Sequence, residues 1–220
     1  MNKIKALSVI FFLLLFPIAA VIAQPFASDI ASFKKQDSIS FPPPNKILFI
    51  GSSSFTLWKN VQEDFPKYKI LNRAFGGSQL TDLIRYRYEV IYPYQPKQIV
   101  MYCGENDFAA SDTVTVDMVT DRFKALFRQI RAKYPKVPFA YVSMKPSPSR
   151  KHLMKKYEMA NEIISLWLKE KKRTKYIDVF HSMLNKEGQP MDDIFLGDKL
   201  HMNAKGYAIW KKLIEPVLIK

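Results

Sequence analysis

The stretch KILFIGSSSF, residues 46–55, places four large apolar residues in succession, Ile47 to Ile50, and then breaks into Gly51 and three serines. An unbroken apolar run of strand length leaves no face for solvent, so it fits a strand covered on both sides, as in a parallel sheet with helices above and below. The glycine and serines that follow are turn and helix-start chemistry. Working outward, four further apolar-rich runs are predicted as strands, at residues 68–74, 98–104 (QIVMYCG), 139–144 and 176–180. Between the third and fourth, Val116, Val119, Phe123, Leu126, Phe127 and Ile130 recur at helical spacing until Tyr134-Pro135 ends the pattern. Leu153, Tyr157, Ala160, Ile164, Trp167 and Leu168 repeat that behaviour before the fifth, and Tyr207, Trp210, Leu213, Ile214 and Val217 give a terminal helix with Asn203 as its N-cap. Such stripes are core-facing. The alternation predicts one α/β domain over residues 46–220, a three-layer α/β/α sandwich around a five-stranded parallel sheet of flavodoxin-like type.

The N-terminal MNKIKALSVIFFLLLFPIAAVIAQ has two lysines, an apolar run interrupted by Pro17, and small residues at Val21 and Ala23. These are the parts of a secretory signal peptide over residues 1–23, and the run is short for a membrane span of about 20 residues. The expected product is exported, periplasmic or secreted, and begins near Gln24. Residues 24–45 are polar and close on Phe41-Pro42-Pro43-Pro44, which predicts an extended lead-in, because proline fixes the backbone and removes donors. Cys103 is the chain's single cysteine, so no intrachain disulfide can form; within IVMYC it is expected to be a small buried hydrophobe. The formal charge of +14, or +12 once Lys3 and Lys5 leave with the signal, favours weak attraction to anionic surfaces. The RYRY stretch from Arg85 to Tyr88 mixes cations with aromatics, but no basic recognition helix or zinc-finger spacing accompanies it, and no nucleic-acid partner is expected. With no H-E-x-x-H, paired-cysteine, G-x-G-x-x-G or Walker pattern, neither metal nor cofactor is expected.

In an open parallel sheet the functional face lies beyond the carboxyl ends of the strands. Strand one is followed by Gly51-Ser52-Ser53-Ser54, strand two by Ala74-Phe75-Gly76-Gly77 and strand three by Glu105-Asn106-Asp107; Gly197-Asp198-Lys199-Leu200-His201 precedes the last helix. Taken singly, each has an ordinary role as cap or turn. Together they supply what acyl transfer by serine requires: a hydroxyl, an imidazole to take its proton, a carboxylate to orient the imidazole, and donors for the developing oxyanion. Ser53 is the expected nucleophile. Its own N–H, the N–H of Gly77 and the amide of Asn106 are the expected oxyanion donors. Of the three histidines, His201 has Asp198 three residues before it on a loop of that face; His152 follows strand four and could line a pocket, His181 follows strand five with no obvious partner, and both are expected at the surface or behind the reacting residues.

The blocks ILFIGSSSFTLW, NRAFGGS, GEND and DKLHMNAKGY, in this order, resemble the four signature blocks of the SGNH hydrolases, the group that includes GDSL-type lipases and esterases. The resemblance covers nearly all the chain from Lys46 onward. It implies a serine esterase in which Ser53, Gly77, Asn106 and His201 are the four eponymous residues and Asp198 completes the triad. It also implies ester substrates of carbohydrate, lipid or thiol type. Two departures stand out. Ser52 and Ser54 occupy the places of Asp and Leu in the GDSL pattern, and Phe55 removes the G-x-S-x-G elbow of the α/β-hydrolases. The rival expectation is a non-catalytic exported binding module on the same fold. Lys145, Arg150 and Lys151, after strand four, are either contacts for an anionic group or solvated loop charges, and oligomeric state is left open.

Overall fold

Five strands, β1 (Ile47–Gly51), β2 (Ile70–Asn72), β3 (Gln98–Tyr102), β4 (Phe139–Val142) and β5 (Thr174–Ile177), form one parallel sheet in the order β2-β1-β3-β4-β5 in a computed structural model that describes residues 25–220. The signal segment expected at residues 1–23 lies outside the described residues. Helices α1 (Ala27–Ile39), α2 (Ser53–Thr56), α3 (Val61–Asp64), α4 (Leu80–Arg85), α5 (Arg87–Val90), α6 (Glu105–Ala109), α7 (Val116–Lys133), α8 (Met154–Lys169) and α9 (Ala204–Ile214) fill the connections. This is the expected α/β/α sandwich. Among the described residues no helix is long and apolar enough to cross a membrane.

Strand alternation divides the core in two. Leu48, Ile50, Ile99, Met101, Phe139 and Tyr141 point to the face covered by α4, α5, α7 and α8, while Ile47, Phe49, Val100, Tyr102, Ala140 and Val142 point to the face covered by α2, α3 and α9. Every residue of β1 and β3 is buried, so the runs lack polar alternation for the reason expected of doubly covered strands. Burying each large aliphatic side chain contributes about 1.5–3 kcal/mol. Asn203 caps α9 as predicted, its Oδ1 accepting from the Lys205 N–H at 2.9 Å.

The strand order reverses between β1 and β3, and the crevice for a ligand opens beyond their carboxyl ends. Gly51 is what lets the chain turn there. Its φ is 136°, and a Cβ would lie 1.8 Å from the Tyr102 carbonyl oxygen on the neighbouring strand. No other residue fits that position.

The expected extended lead-in is corrected: Ala27–Ile39 is helical, and the proline run after it forms no regular element. Its sequence carries almost no apolar stripe, and Ile30 is its sole buried residue. Polar contacts supplement the packing of Ile30 and the half-buried Phe33. Asp37 pairs with Arg73 and accepts from the Tyr94 hydroxyl at 2.6 Å, and Arg73 Nε donates to the same hydroxyl oxygen at 2.7 Å.

Candidate active site

Each expected site residue stands at the carboxyl edge of the sheet. Ser53 opens α2 directly after β1, Gly77 lies on the loop after β2, Asn106 sits in α6 after β3, and Asp198 and His201 share the loop before α9. His201 Nε2 is 3.1 Å from Ser53 Oγ, and His201 Nδ1 is 2.6 Å from Asp198 Oδ2. The second carboxylate oxygen accepts the N–H groups of Leu200 and His201, each at 2.9 Å. Slight burial pushes the Asp198 pKa up, but the two backbone donors and the His201 ring outweigh it and hold the carboxyl at about 2. A carboxylate held this way fixes the ring with Nε2 facing the serine. Lys199 provides the tight turn between the two residues, with φ 56°.

The three adjacent serines are separated by geometry. Only the Ser53 hydroxyl reaches the histidine; Ser52 Oγ accepts from Asn106 Nδ2 at 2.7 Å, and Ser54 Oγ is buried without a partner among the described residues. The Ser53 N–H is the first of its helix and has no intrahelical acceptor. Gly77 has φ 82°, a backbone conformation that side chains rarely adopt. Asn106 is brought into the cleft, with its amide also donating to the Ser78 carbonyl at 3.1 Å. The Ser78 hydroxyl in turn donates to the Gly51 carbonyl at 3.0 Å, tying the loops after β1, β2 and β3 together.

Two of the sequence expectations are corrected here. His181 does have a partner: Asp178, also three residues earlier, lies 2.7 Å from its Nδ1 and accepts its backbone N–H. The spacing was visible in the sequence. What separates the two pairs is the third member, since the His181 side chain is 65% exposed and no hydroxyl meets its Nε2 among the described residues. Lys145, for its part, is neither a solvated charge nor open to ligand. It is 1% exposed and ion-paired at 3.2 Å with Glu105, which is 6% exposed. Burial lowers the Lys145 pKa, opposed by the Glu105 charge. Lys151 and His152 are exposed, and Cys103 is buried as expected, with burial driving its thiol pKa up.

The cleft above Ser53 and His201 has a volume of about 350 Å³ and is walled by Thr56, Leu57, Gly76, Leu200 and Arg150. A second hollow of about 440 Å³ beside Trp58 and Tyr207 contains none of the expected catalytic residues, so the chemistry decides between them.

Residues 50–209 match the GDSL-like Lipase/Acylhydrolase family. The chain belongs to that family. As a GDSL-like acylhydrolase it is a carboxylic ester hydrolase. Solved structures of the same fold include a Streptococcus pneumonia protein at 22% identity, covering 87% of this chain and 92% of its own, with a TM-score of 0.76. A GDSL-like lipase from Bacteroides thetaiotaomicron follows at 19% identity, 85% and 95% coverage and a TM-score of 0.72. A variant of an acetylxylan esterase from Geobacillus stearothermophilus has 12% identity, 80% and 95% coverage and a TM-score of 0.63. At such identities these likenesses carry the fold alone. No curated protein sequence matches the chain.

Proposed function

We propose that this GDSL-like hydrolase is an exported serine esterase that cleaves acyl or acetyl esters of carbohydrate or lipid alcohols through a Ser53 acyl-enzyme. The observation that carries the reading is the continuous contact from Asp198 through His201 to Ser53 Oγ, with distances of 2.6 and 3.1 Å. Ser53 Oγ attacks the ester carbonyl carbon as His201 Nε2 takes its proton, and Asp198 stabilises the imidazolium. The carbonyl oxygen becomes an oxyanion facing the N–H groups of Ser53 and Gly77 and the Asn106 amide. Collapse of the tetrahedral intermediate breaks the bond to the alcohol oxygen, which receives the proton from His201. Water, deprotonated by the same imidazole, then releases the acid and restores Ser53.

The cleft of about 350 Å³ accommodates a short acyl group, which is the substrate we favour. The acetylxylan esterase among the structures of this fold is in keeping with that choice. Export rests on the composition of residues 1–23.

A serine-reactive fluorophosphonate tests the reading. It should label the protein, and Ser53→Ala should abolish both labelling and hydrolysis of 4-nitrophenyl acetate while the thermal melt stays intact. Ser54→Ala should keep both. Labelling that survives Ser53→Ala would move the nucleophile to another residue, and a folded protein that is neither labelled nor active would leave the binding-module alternative in its place.

A further inference from the structure

The charges around the cleft do not balance. Beneath it, Glu105 and Lys145 face each other at 3.2 Å and cancel. Asp198 spends both oxygens on the His201 ring and the N–H groups of Leu200 and His201. Arg150, on the 3-10 turn Pro148–Leu153 that follows β4, is half-buried and lines the cleft together with Ser53, Asn106 and His201. It forms no salt bridge among the described residues, and it is the only fixed charge among the residues lining that cleft.

We propose that Arg150 binds an anionic group, a carboxylate or a phosphate, on the alcohol portion of the ester; this rests on the esterase reading above. The Arg150 guanidinium has no counter-ion and sits beside the Tyr157 hydroxyl among uncharged lining side chains, and a planar oxyanion is the ligand that satisfies it in two directions at once. The side of the cleft follows from the chain. The Ser149 N–H donates to the Lys199 carbonyl at 3.1 Å, which attaches the Arg150 turn to the loop carrying His201. His201 protonates the leaving oxygen, so a group beside that loop belongs to the alcohol. Thr56 and Leu57, in the α2 segment that carries Ser53, are left to face the acyl group. Glu105 cannot serve as the counter-ion in place of substrate without abandoning Lys145 in the core, where a lone charge is strongly unfavourable.

The test compares kcat/KM within two matched pairs, acetylated glucuronic acid against acetylated glucose and acetylglycerol phosphate against acetylglycerol. The native enzyme should favour the anionic member of at least one pair by about ten-fold or more, the lower bound for a charge-assisted hydrogen bond, and mainly through KM. The pair that responds identifies the anion as carboxylate or phosphate. Arg150→Met should bring that ratio to within about two-fold of unity, and Arg150→Lys should retain part of it, because a point charge survives without the fork. The Lys variant also answers the question if the Met variant does not fold. Hydrolysis of all four esters without preference, or a preference unchanged in Arg150→Met, overturns the assignment alone. Absence of hydrolysis together with absence of fluorophosphonate labelling at Ser53 overturns the esterase reading and this inference with it.

Discussion

Asn106 donates from one nitrogen to two acceptors, Ser52 Oγ at 2.7 Å and the Ser78 carbonyl at 3.1 Å, so its amide is aimed before any substrate arrives. Ser52 stands where the GDSL pattern has an aspartate, and its neutral hydroxyl accepts the Asn106 N–H less strongly than a carboxylate would, so a developing oxyanion can compete for the donor. Asn106→Ala should therefore lower kcat more than it changes KM, by the order of the ~2.7–4 kcal/mol measured for one oxyanion donor elsewhere. Ser52→Ala should lower kcat by a smaller factor, since it removes the aim and keeps the donor; steady-state kinetics on a small acetyl ester reads both, and a pure KM effect in Asn106→Ala would remove it from the oxyanion role. The pH profile belongs to this scale as well. With the Asp198 carboxyl held at about 2, it stays ionised throughout the range in which a histidine titrates. The pH profile of activity should then carry no inflection from Asp198 in the ordinary carboxylate range. Because its folded pKa is depressed, the stability that Asp198 contributes is complete above the ordinary carboxylate range and is lost as pH falls towards 2.

At the scale of elements, α6 is the piece that locks the functional edge of the sheet. Glu105 pairs with Lys145 at the end of β4, and Asp107 accepts the Leu80 N–H of α4 at 2.9 Å and pairs with Arg122 of α7 at 2.9 Å. Glu105→Gln should cost about 3–5 kcal/mol in urea unfolding, because it strands a buried ammonium. Burial already lowers the Lys145 pKa, so the loss should shrink at alkaline pH as the stranded lysine gives up its proton. A loss under 1 kcal/mol, within the range of surface pairs, would mean that the pair is not sealed from water. None of this was legible in GEND as a string of letters. Sequence spacing showed β1, β3, α7 and α8 and the order of the catalytic blocks, because those signals are periodic or local. The Glu105–Lys145 pair joins residues on different strand ends, and α1 shows no apolar stripe to read. The Asp178–His181 pair was legible by the same spacing rule as Asp198–His201, and only the position of Ser53 tells them apart.

For the molecule as a whole, the N-terminal helix is part of the folded unit even though it carries little apolar surface. The Tyr86 hydroxyl donates to the Pro25 carbonyl at 2.6 Å, Phe26 packs edge-on to Phe75 with centroids 5.1 Å apart, and Phe26 lies 3.7 Å from where a Cβ on Gly77 would stand. The chain is thus anchored from Pro25 onward, and the proposed cleavage before Gln24 would keep that anchor. Sequencing the exported protein should give Gln24 or a close neighbour, or a blocked end if the glutamine has cyclised; a membrane-bound product that still begins at Met1 would exclude cleavage. Trimming further has a different consequence. A chain beginning at Lys46 loses Asp37 and leaves Arg73, 6% exposed in the intact protein, without its counter-charge. Removing one partner of a buried pair costs about 3–5 kcal/mol, although the lost helix would let some water in to Arg73 and reduce that figure. The Gln24 chain should melt as a single stable unit, and the Lys46 chain several degrees lower with weakened esterase activity, because Phe26 no longer backs the Gly77 loop. Equal melting temperatures and equal activity for the two chains would show that α1 is an appendage rather than a support for the Gly77 loop.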